Sequence, residues 1–130
     1  MNMNVPQDLR YTAEHEWVRV IGDGAVVRVG ITDYAQDALG DVVYVDLPAM
    51  GDDVAASAAV GELESTKSVS EMYAPVSGKI SAVNEALADN PQLLNEDPYG
   101  DGWLCEITLS DQDEIGAMMD AAAYTALTEG

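Results

Sequence analysis

The chain has 130 residues, of which 24 are Asp or Glu and five are Lys or Arg, for a formal net charge of −19. A surface this acidic repels nucleic acid, whose binding rests on neutralised phosphates, and disfavours anionic membranes, while it favours encounter with partners that carry basic patches and equally serves solubility or salt adaptation. With 48% hydrophobic residues and no apolar run near 18 residues, the composition fits one domain with a modest core and no bilayer-spanning helix.

Residues 1–10 read as a loose lead-in. Residues 1–8 have neither the basic and apolar regions of a secretory signal nor the arginines of a transit peptide, which points to a cytoplasmic protein of bacterial type. Over 16–21, Trp17, Arg19 and Ile21 alternate with Val18 and Val20, which predicts a strand buried on at least one face. Gly22-Asp23-Gly24 supplies a hairpin turn, and 25–30 the returning strand. The period then changes: Ile31, Ala35, Ala38 and Leu39 fall on one helical face, Thr32 is placed as the N-cap, and Gly40 ends the short helix. Residues 41–47 form a β-branched run and predict a strand; 48–53 predict a turn, and the alanine-rich 54–59 a short strand or extended loop.

In 60–80, two short strands meet at a tip that carries Lys67, and Pro75, Ser77 and Gly78 end the run. The bend has neither Asn-Gly nor Asp-Gly, the usual signature of a tight hairpin. Residues 80–84 predict a strand, 85–97 a loop with helical turns limited by Pro91, 98–102 a turn, and 103–109 an alternating strand. Ser110 is placed as the N-cap of a helix with Asp111, Asp113 and Glu114 in its first turn, continuing through 115–119. Asp120 caps a last helix to about Leu127. Segment 40–46 resembles segment 78–84: each sets a glycine before a strand that ends in an Asx residue and a turn. Two such units facing each other make a small sandwich or flattened barrel. No interdomain linker is visible, so 1–130 reads as a single domain, with its core over about 11–110 and C-terminal helices over about 111–128.

Lys67 is one of two lysines in the chain. Ser65, Thr66, Ser68 and Ser70 flank it, with Glu62, Glu64 and Glu71 further out. A lysine at a hairpin tip is most simply a solvated charge. The alternative uses its flexible stem as the root of a swinging arm, because acylating the amine removes its charge and can attach a long cofactor out of reach of the core. Small neighbours such as Thr66 and Ser68 suit an enzyme that must reach that amine. Other chemistry is missing. One histidine and one cysteine, ninety positions apart, do not make a zinc site. There is no phosphate-binding glycine loop and no nucleophile elbow. Asp111-Gln112-Asp113-Glu114 lacks the glycine and spaced Glu of a calcium loop and reads as a helix start. Cys105, the single cysteine, excludes an internal disulfide and reads as packing.

The run Gly61-Glu62-Leu63-Glu64-Ser65-Thr66-Lys67-Ser68, followed by Tyr73-Ala74-Pro75-Val76-Ser77-Gly78, resembles the lipoyl-attachment segment of the glycine cleavage system H protein family. Tyr11-Thr12-Ala13-Glu14-His15-Glu16-Trp17-Val18, Gly30-Ile31-Thr32-Asp33-Tyr34-Ala35-Gln36 and Asn95-Glu96-Asp97-Pro98-Tyr99-Gly100-Asp101-Gly102-Trp103 resemble the same family in order and spacing. The lysine motif alone would indicate only a lipoyl or biotinyl domain; His15-Glu16-Trp17 and Asp97-Pro98-Tyr99 narrow it.

The resemblance implies a mainly β protein with short helices. The expected fold is a lipoyl-domain-like flattened β-barrel or sandwich (a barrel-sandwich hybrid) with a C-terminal helical segment. It implies a carrier with no catalytic site of its own and with lipoate in amide linkage on Lys67. The arm would take an aminomethyl group from a pyridoxal-phosphate glycine decarboxylase and pass its methylene to tetrahydrofolate on an aminomethyltransferase. A dihydrolipoyl dehydrogenase using FAD would then re-oxidise it, and lipoylating enzymes complete the partners. It also implies a cleft that shelters the loaded arm from water, with carboxylates near the docked tip to hold a cationic amine. By position in the motifs, Glu16 and Glu71 are the candidates. Glu14 stands where a small polar side chain can serve instead, and His15 lines the same cleft or caps the strand. Each of these acids also reads as a solvated charge.

Rival readings remain beside this one. Biotin carriers usually place methionines beside the lysine, where this chain has Thr66 and Ser68. Lipoyl domains of acyltransferases usually precede a Pro/Ala-rich linker, which this sequence does not show. An unmodified module docking basic proteins, or a relay that hands lipoate to other complexes, are the remaining alternatives.

Overall fold

The computed structural model describes residues 5–129. In chain order the elements are β1 (Arg10–Tyr11), β2 (Glu16–Ile21), β3 (Val26–Ile31), α1 (Asp33–Leu39), β4 (Val42–Asp46), β5 (Asp53–Val54), β6 (Ala59–Ser65), β7 (Val69–Tyr73), β8 (Gly78–Val83), α2 (Ala86–Asp89), α3 (Leu93–Glu96), β9 (Cys105–Leu109), α4 (Asp113–Gly116) and α5 (Ala121–Glu129). The strands form a six-stranded sheet, ordered β1-β2-β3-β9-β8-β5, and a three-stranded sheet, β4-β6-β7. Neighbouring strands run antiparallel throughout. Val18, Val27, Val29 and Ile31 from the larger sheet share one core with Val42, Val45, Leu63 and Met72 from the smaller. Full burial of a side chain of this size is worth about 1.5–3 kcal/mol. A second cluster, Leu9, Tyr11, Trp17, Ala121 and Tyr124, fastens α5 against β1 and β2.

The mainly β sandwich with a C-terminal helix is the architecture expected from the sequence. β2 has the predicted bounds, and Gly22 (φ 60) and Gly24 (φ 99) make its turn. β3 runs one residue past the expected strand, so Ile31 ends a strand and does not start the helix. Thr32 caps α1, its Oγ1 accepting from the Ala35 N–H at 3.2 Å. The two similar segments become β4 and β8, one in each sheet, and both break register at the same point of the repeat, between Val42 and Tyr44 and between Ile80 and Ala82.

Three expectations need correction. The lead-in is anchored, not loose: Leu9 is buried and β1 pairs with β2, while residues 1–4 lie outside the described residues. Ser110 is not a cap. Its N–H donates to Ser77 O at 3.1 Å, and Asp111 Oδ1 accepts instead from the Asp113 N–H at 3.0 Å. The helix expected through 115–119 stops at Gly116, because the Met119 N–H donates to Tyr11 O (3.1 Å) and its carbonyl accepts from the Tyr11 N–H (2.9 Å). Asp120 does cap the last helix, its Oδ1 accepting from the Ala123 N–H at 2.9 Å, and α5 runs to Glu129.

Candidate functional site

The β6–β7 hairpin bends without glycine because Ser65 supplies the turn itself. Its Oγ accepts from the N–H groups of Lys67 (3.2 Å) and Ser68 (3.1 Å), and its N–H donates to Ser68 O (2.8 Å). A hydroxyl that bonds the backbone two and three residues on does the work an Asn-Gly pair usually does. The tip is docked by the Thr66 N–H, which donates to Asp41 O at 3.0 Å. Lys67 is exposed, and among the described residues the ion pairs are Arg28–Glu106 and Lys79–Asp53, neither of which includes it. Its stem lies over Gly40, where a Cβ would come within 2.8 Å of Lys67 Cε. Gly40 also ends α1 with φ 80 and ψ −158, a conformation open to glycine almost alone. Asn95 fixes this junction. Its Nδ2 donates to Gly40 O (2.7 Å) and Gln36 Oε1 (3.2 Å), and its Oδ1 accepts from the Val42 N–H (2.9 Å).

Beside the tip lies a cleft of about 240 Å³. Residues 14–16 form one wall, Ala35, Ala38 and Leu39 of α1 another, and residues 68–72 a third, with Ile31 and Leu63 between them. Glu14, Glu16 and Glu71 line it, and no Lys or Arg does. Such a site favours a cation that carries an apolar stem.

Glu16 is 3% exposed at the start of β2. Its Oε1 accepts from Thr12 Oγ1 (3.1 Å) and its Oε2 from the Tyr73 N–H (2.9 Å), so one carboxylate ties the large sheet to the small one. Burial pushes its pKa up to about 7, against the pull of the bonds from Tyr73 and Thr12. Glu71 and Glu14 are exposed. Glu71 Oε2 accepts from Tyr73 Oη at 3.1 Å, and this bond raises the pKa of the Tyr73 phenol. Tyr73 thus touches both Glu16, through its backbone, and Glu71, through its hydroxyl.

His15 takes φ 68, a left-handed conformation that histidine visits more readily than most residues. Its N–H donates to Thr12 O (3.1 Å) and its carbonyl accepts from the Thr32 N–H (3.0 Å). The ring stacks on Tyr34 with centroids 4.5 Å apart, and Nδ1 lies 2.7 Å from Tyr124 Oη. Burial lowers its pKa, opposed by Glu14.

Glu14, His15, Glu16 and Glu71 therefore all line one cleft, and Lys67 stands beside it, next to lining residues Ser68 and Val69. Sequence reasoning did not single out Thr12, Tyr34, Gly40, Tyr73, Asn95 or Tyr124 as members of this site. All but Tyr124 and Gly40 lie inside the stretches that carry the family resemblance, and Gly40 is marked as a helix end. Tyr124 had no signal at all, being 109 positions from His15. Among the described residues no cluster of His, Cys, Asp and Glu could hold a metal ion, and no helix is long and apolar enough to cross a membrane.

The family model for the glycine cleavage H-protein matches residues 9–130. A glycine cleavage system H protein from Micrococcus luteus is 58% identical over 125 residues, covering 96% of this chain and 98% of that protein. One from Mycolicibacterium vanbaalenii is 59% identical over 125 residues, covering 94% and 95%. The crystal structure of a glycine cleavage system H protein from Mycobacterium marinum superposes with a TM-score of 0.88 at 42% identity, covering 97% of this chain and all of that one.

Proposed function

The chain belongs to the glycine cleavage H-protein family, and we propose that it carries a lipoyl group amide-linked to Lys67 Nζ and shelters the loaded arm in the acidic cleft beside the tip. It is a carrier component of the glycine cleavage system and not itself a catalyst. The observation that carries the assignment to Lys67 is its setting. The amine is exposed, has no ion pair among the described residues, and is presented on a serine-made bend beside a cleft lined by three carboxylates.

When attached, the lipoyl group supplies a disulfide that opens to take up a one-carbon amine unit and closes again on re-oxidation. The chain's own residues do the rest. Ser65 fixes the bend so that Lys67 points outward, and Gly40 leaves its stem room to move. Ile31, Leu39, Leu63 and Met72 supply apolar walls that keep water from a hydrolysable cargo. Glu16 and Glu71 hold the cationic end of the arm, with Glu14 on the same wall as Glu16. A cation held beside Glu16 would favour the ionised form of this buried carboxyl.

The partners are the other enzymes of the glycine cleavage system. In detail they are the pyridoxal-phosphate glycine decarboxylase, the tetrahydrofolate-dependent aminomethyltransferase and the FAD-dependent dihydrolipoyl dehydrogenase, together with the enzymes that lipoylate Lys67. A net charge of −19 favours encounter with partners that present basic patches. The whole chain works as one domain in the cytoplasm.

Lys67→Arg tests the reading. The variant keeps the charge and the fold, gains no lipoyl mass in a lipoylating host, and supports no glycine–carbon dioxide exchange. Exchange at the wild-type rate would overturn the assignment.

A further inference from the structure

We propose that Tyr124, reaching from the C-terminal helix, is a positioning residue that holds the ring of His15 neutral, with its proton on Nε2, in the wall of the cation-holding cleft. Its functional half rests on the carrier reading above; its structural half does not.

The tautomer is set by the hydrogens along a chain of three side chains, Thr32, Tyr124 and His15. Thr32 Oγ1 accepts from the Ala35 N–H at 3.2 Å, as the N-cap of α1. Its second partner is Tyr124 Oη at 2.7 Å, and both residues are fully buried. Tyr124 Oη in turn lies 2.7 Å from His15 Nδ1. One orientation pairs every proton between Thr32 Oγ1 and His15 Nδ1, and leaves only the Nε2–H, on a half-buried ring that lines the cleft. Thr32 donates to Tyr124, Tyr124 donates to Nδ1, and the imidazole keeps its proton on Nε2. The reverse orientation starts from an Nδ1–H donating to Tyr124 and a tyrosine donating to Thr32. Thr32 Oγ1 then accepts twice, and its own proton has no acceptor among the described residues. A buried donor left unpaired is unfavourable, so the helix cap at Thr32 sets the direction of the whole chain. A second proton on His15 must enter at Nδ1 and forces that reversal.

The ring cannot swing away from this arrangement. Tyr34 stacks on one face at 4.5 Å, Tyr124 meets it edge-on at 5.7 Å, and Tyr124 is itself stacked on Tyr11 at 4.7 Å. The charged and titratable groups around His15 are Glu14 and Glu16 on its own segment, Tyr34 from α1, Tyr124 from α5, and Glu71 on the β7 wall of the cleft. Of these, Glu14 draws a proton toward the ring, yet burial prevails and lowers its pKa. For a cleft with three carboxylates and no Lys or Arg, a charged histidine would be the only cation in the lining and would compete with a cationic cargo. The C-terminal helix therefore protects the cleft's affinity for cations through a hydroxyl that never meets the cargo.

The chain has a single histidine, so ring-nitrogen NMR on the ¹⁵N-labelled full-length protein reads His15 without assignment. The expected wild-type spectrum is that of the Nε2–H tautomer, titrating below 6.5. Tyr124→Phe keeps the packing and removes the hydroxyl. It should give mixed tautomers and a raised midpoint. Thr32→Ser keeps the hydroxyl chain and should match the wild type. With the loaded protein, the ratio of arm lifetimes, wild type over Tyr124→Phe, should grow as the pH falls from 8 to 6. An Nδ1–H tautomer in the wild type, or an unchanged tautomer and midpoint in Tyr124→Phe, would overturn the proposal. A lifetime ratio that does not change with pH would overturn its link to the cargo. Failure of the carrier reading shows separately, as a Lys67 that takes no lipoyl group while the tautomer stays as stated.

Discussion

Replacing Glu16 by Gln should flatten the pH dependence of stability. Burial raises this carboxyl from its ordinary 4.5 to about 7 in the folded protein. The folded value lies above the unfolded one, so folding favours the protonated form. The stabilisation is complete below pH 4.5 and is lost as the pH rises through 7. One pKa unit corresponds to about 1.4 kcal/mol, so the whole span is worth roughly 3 kcal/mol, of which about 2.5 kcal/mol falls between pH 5 and pH 8. Gln carries no charge to desolvate. It can keep both contacts, its amide oxygen accepting from the Tyr73 N–H and its amide nitrogen donating to Thr12 Oγ1. Urea unfolding of both proteins at pH 5 and pH 8 gives the comparison. The wild type should lose about 2.5 kcal/mol more than the variant over that interval, a difference of order 10 °C in Tm. The other acids and His15 are common to both proteins and cancel in the subtraction. Parallel stability profiles would refute the reasoning, because they would mean that water reaches this carboxylate in the folded state.

Two further substitutions probe the junction beneath the Lys67 stem. Gly40→Ala meets both a φ of 80 and the Lys67 stem. It should cost about 1–3 kcal/mol and slow lipoylation by a purified ligase, measured as mass gained per minute. Asn95→Ala strands the Val42 N–H and the Gly40 carbonyl. It should cost about 2 kcal/mol as an offset in urea stability that does not vary between pH 5 and pH 8, unlike Glu16→Gln.

Much of the fold was legible because its signals are local. Alternation marks β2, Thr32 and Gly40 bracket α1, and the glycine pair Gly22 and Gly24 marks a turn whose φ values are positive. The sequence misled where a tertiary partner outbid a local preference. Ser110 has the residue type of a cap, but its backbone is held by Ser77. Glu114 does stand in the first turn of α4, as expected, and its carboxylate oxygens also accept from the Ser77 N–H (2.7 Å) and hydroxyl (3.1 Å). The helix beyond it gives way to a bridge between Met119 and Tyr11, which no propensity encodes. The tip was found by its flanking residues while its turn chemistry was missed, because a serine side chain stands in for the expected glycine. Glu14, His15, Glu16 and Glu71, from separate motifs, line one cavity. The tie from His15 to Tyr124 spans nearly the whole chain and leaves no periodic trace.

The acidity of the chain makes the state of Lys67 informative. With 24 acids and five bases, a basic side chain is expected to be captured. Four of the five are engaged. Arg28 pairs with Glu106 at 2.8 Å and covers Trp103, and Lys79 approaches Asp53 at 4.0 Å. Arg19 donates to Tyr99 O and lies over Trp17, and Arg10 reaches Met118 O. Of the five basic side chains, Lys67 alone has an end group with no polar partner among the described residues. The residues around it account for this. Ser65, Thr66 and Ser68 are short and neutral, Ser65 is occupied in making the bend, and Glu71 is engaged by the Tyr73 hydroxyl. A serine-built bend keeps this amine out of ion pairs among the described residues, which is the state that the acylation proposed above requires.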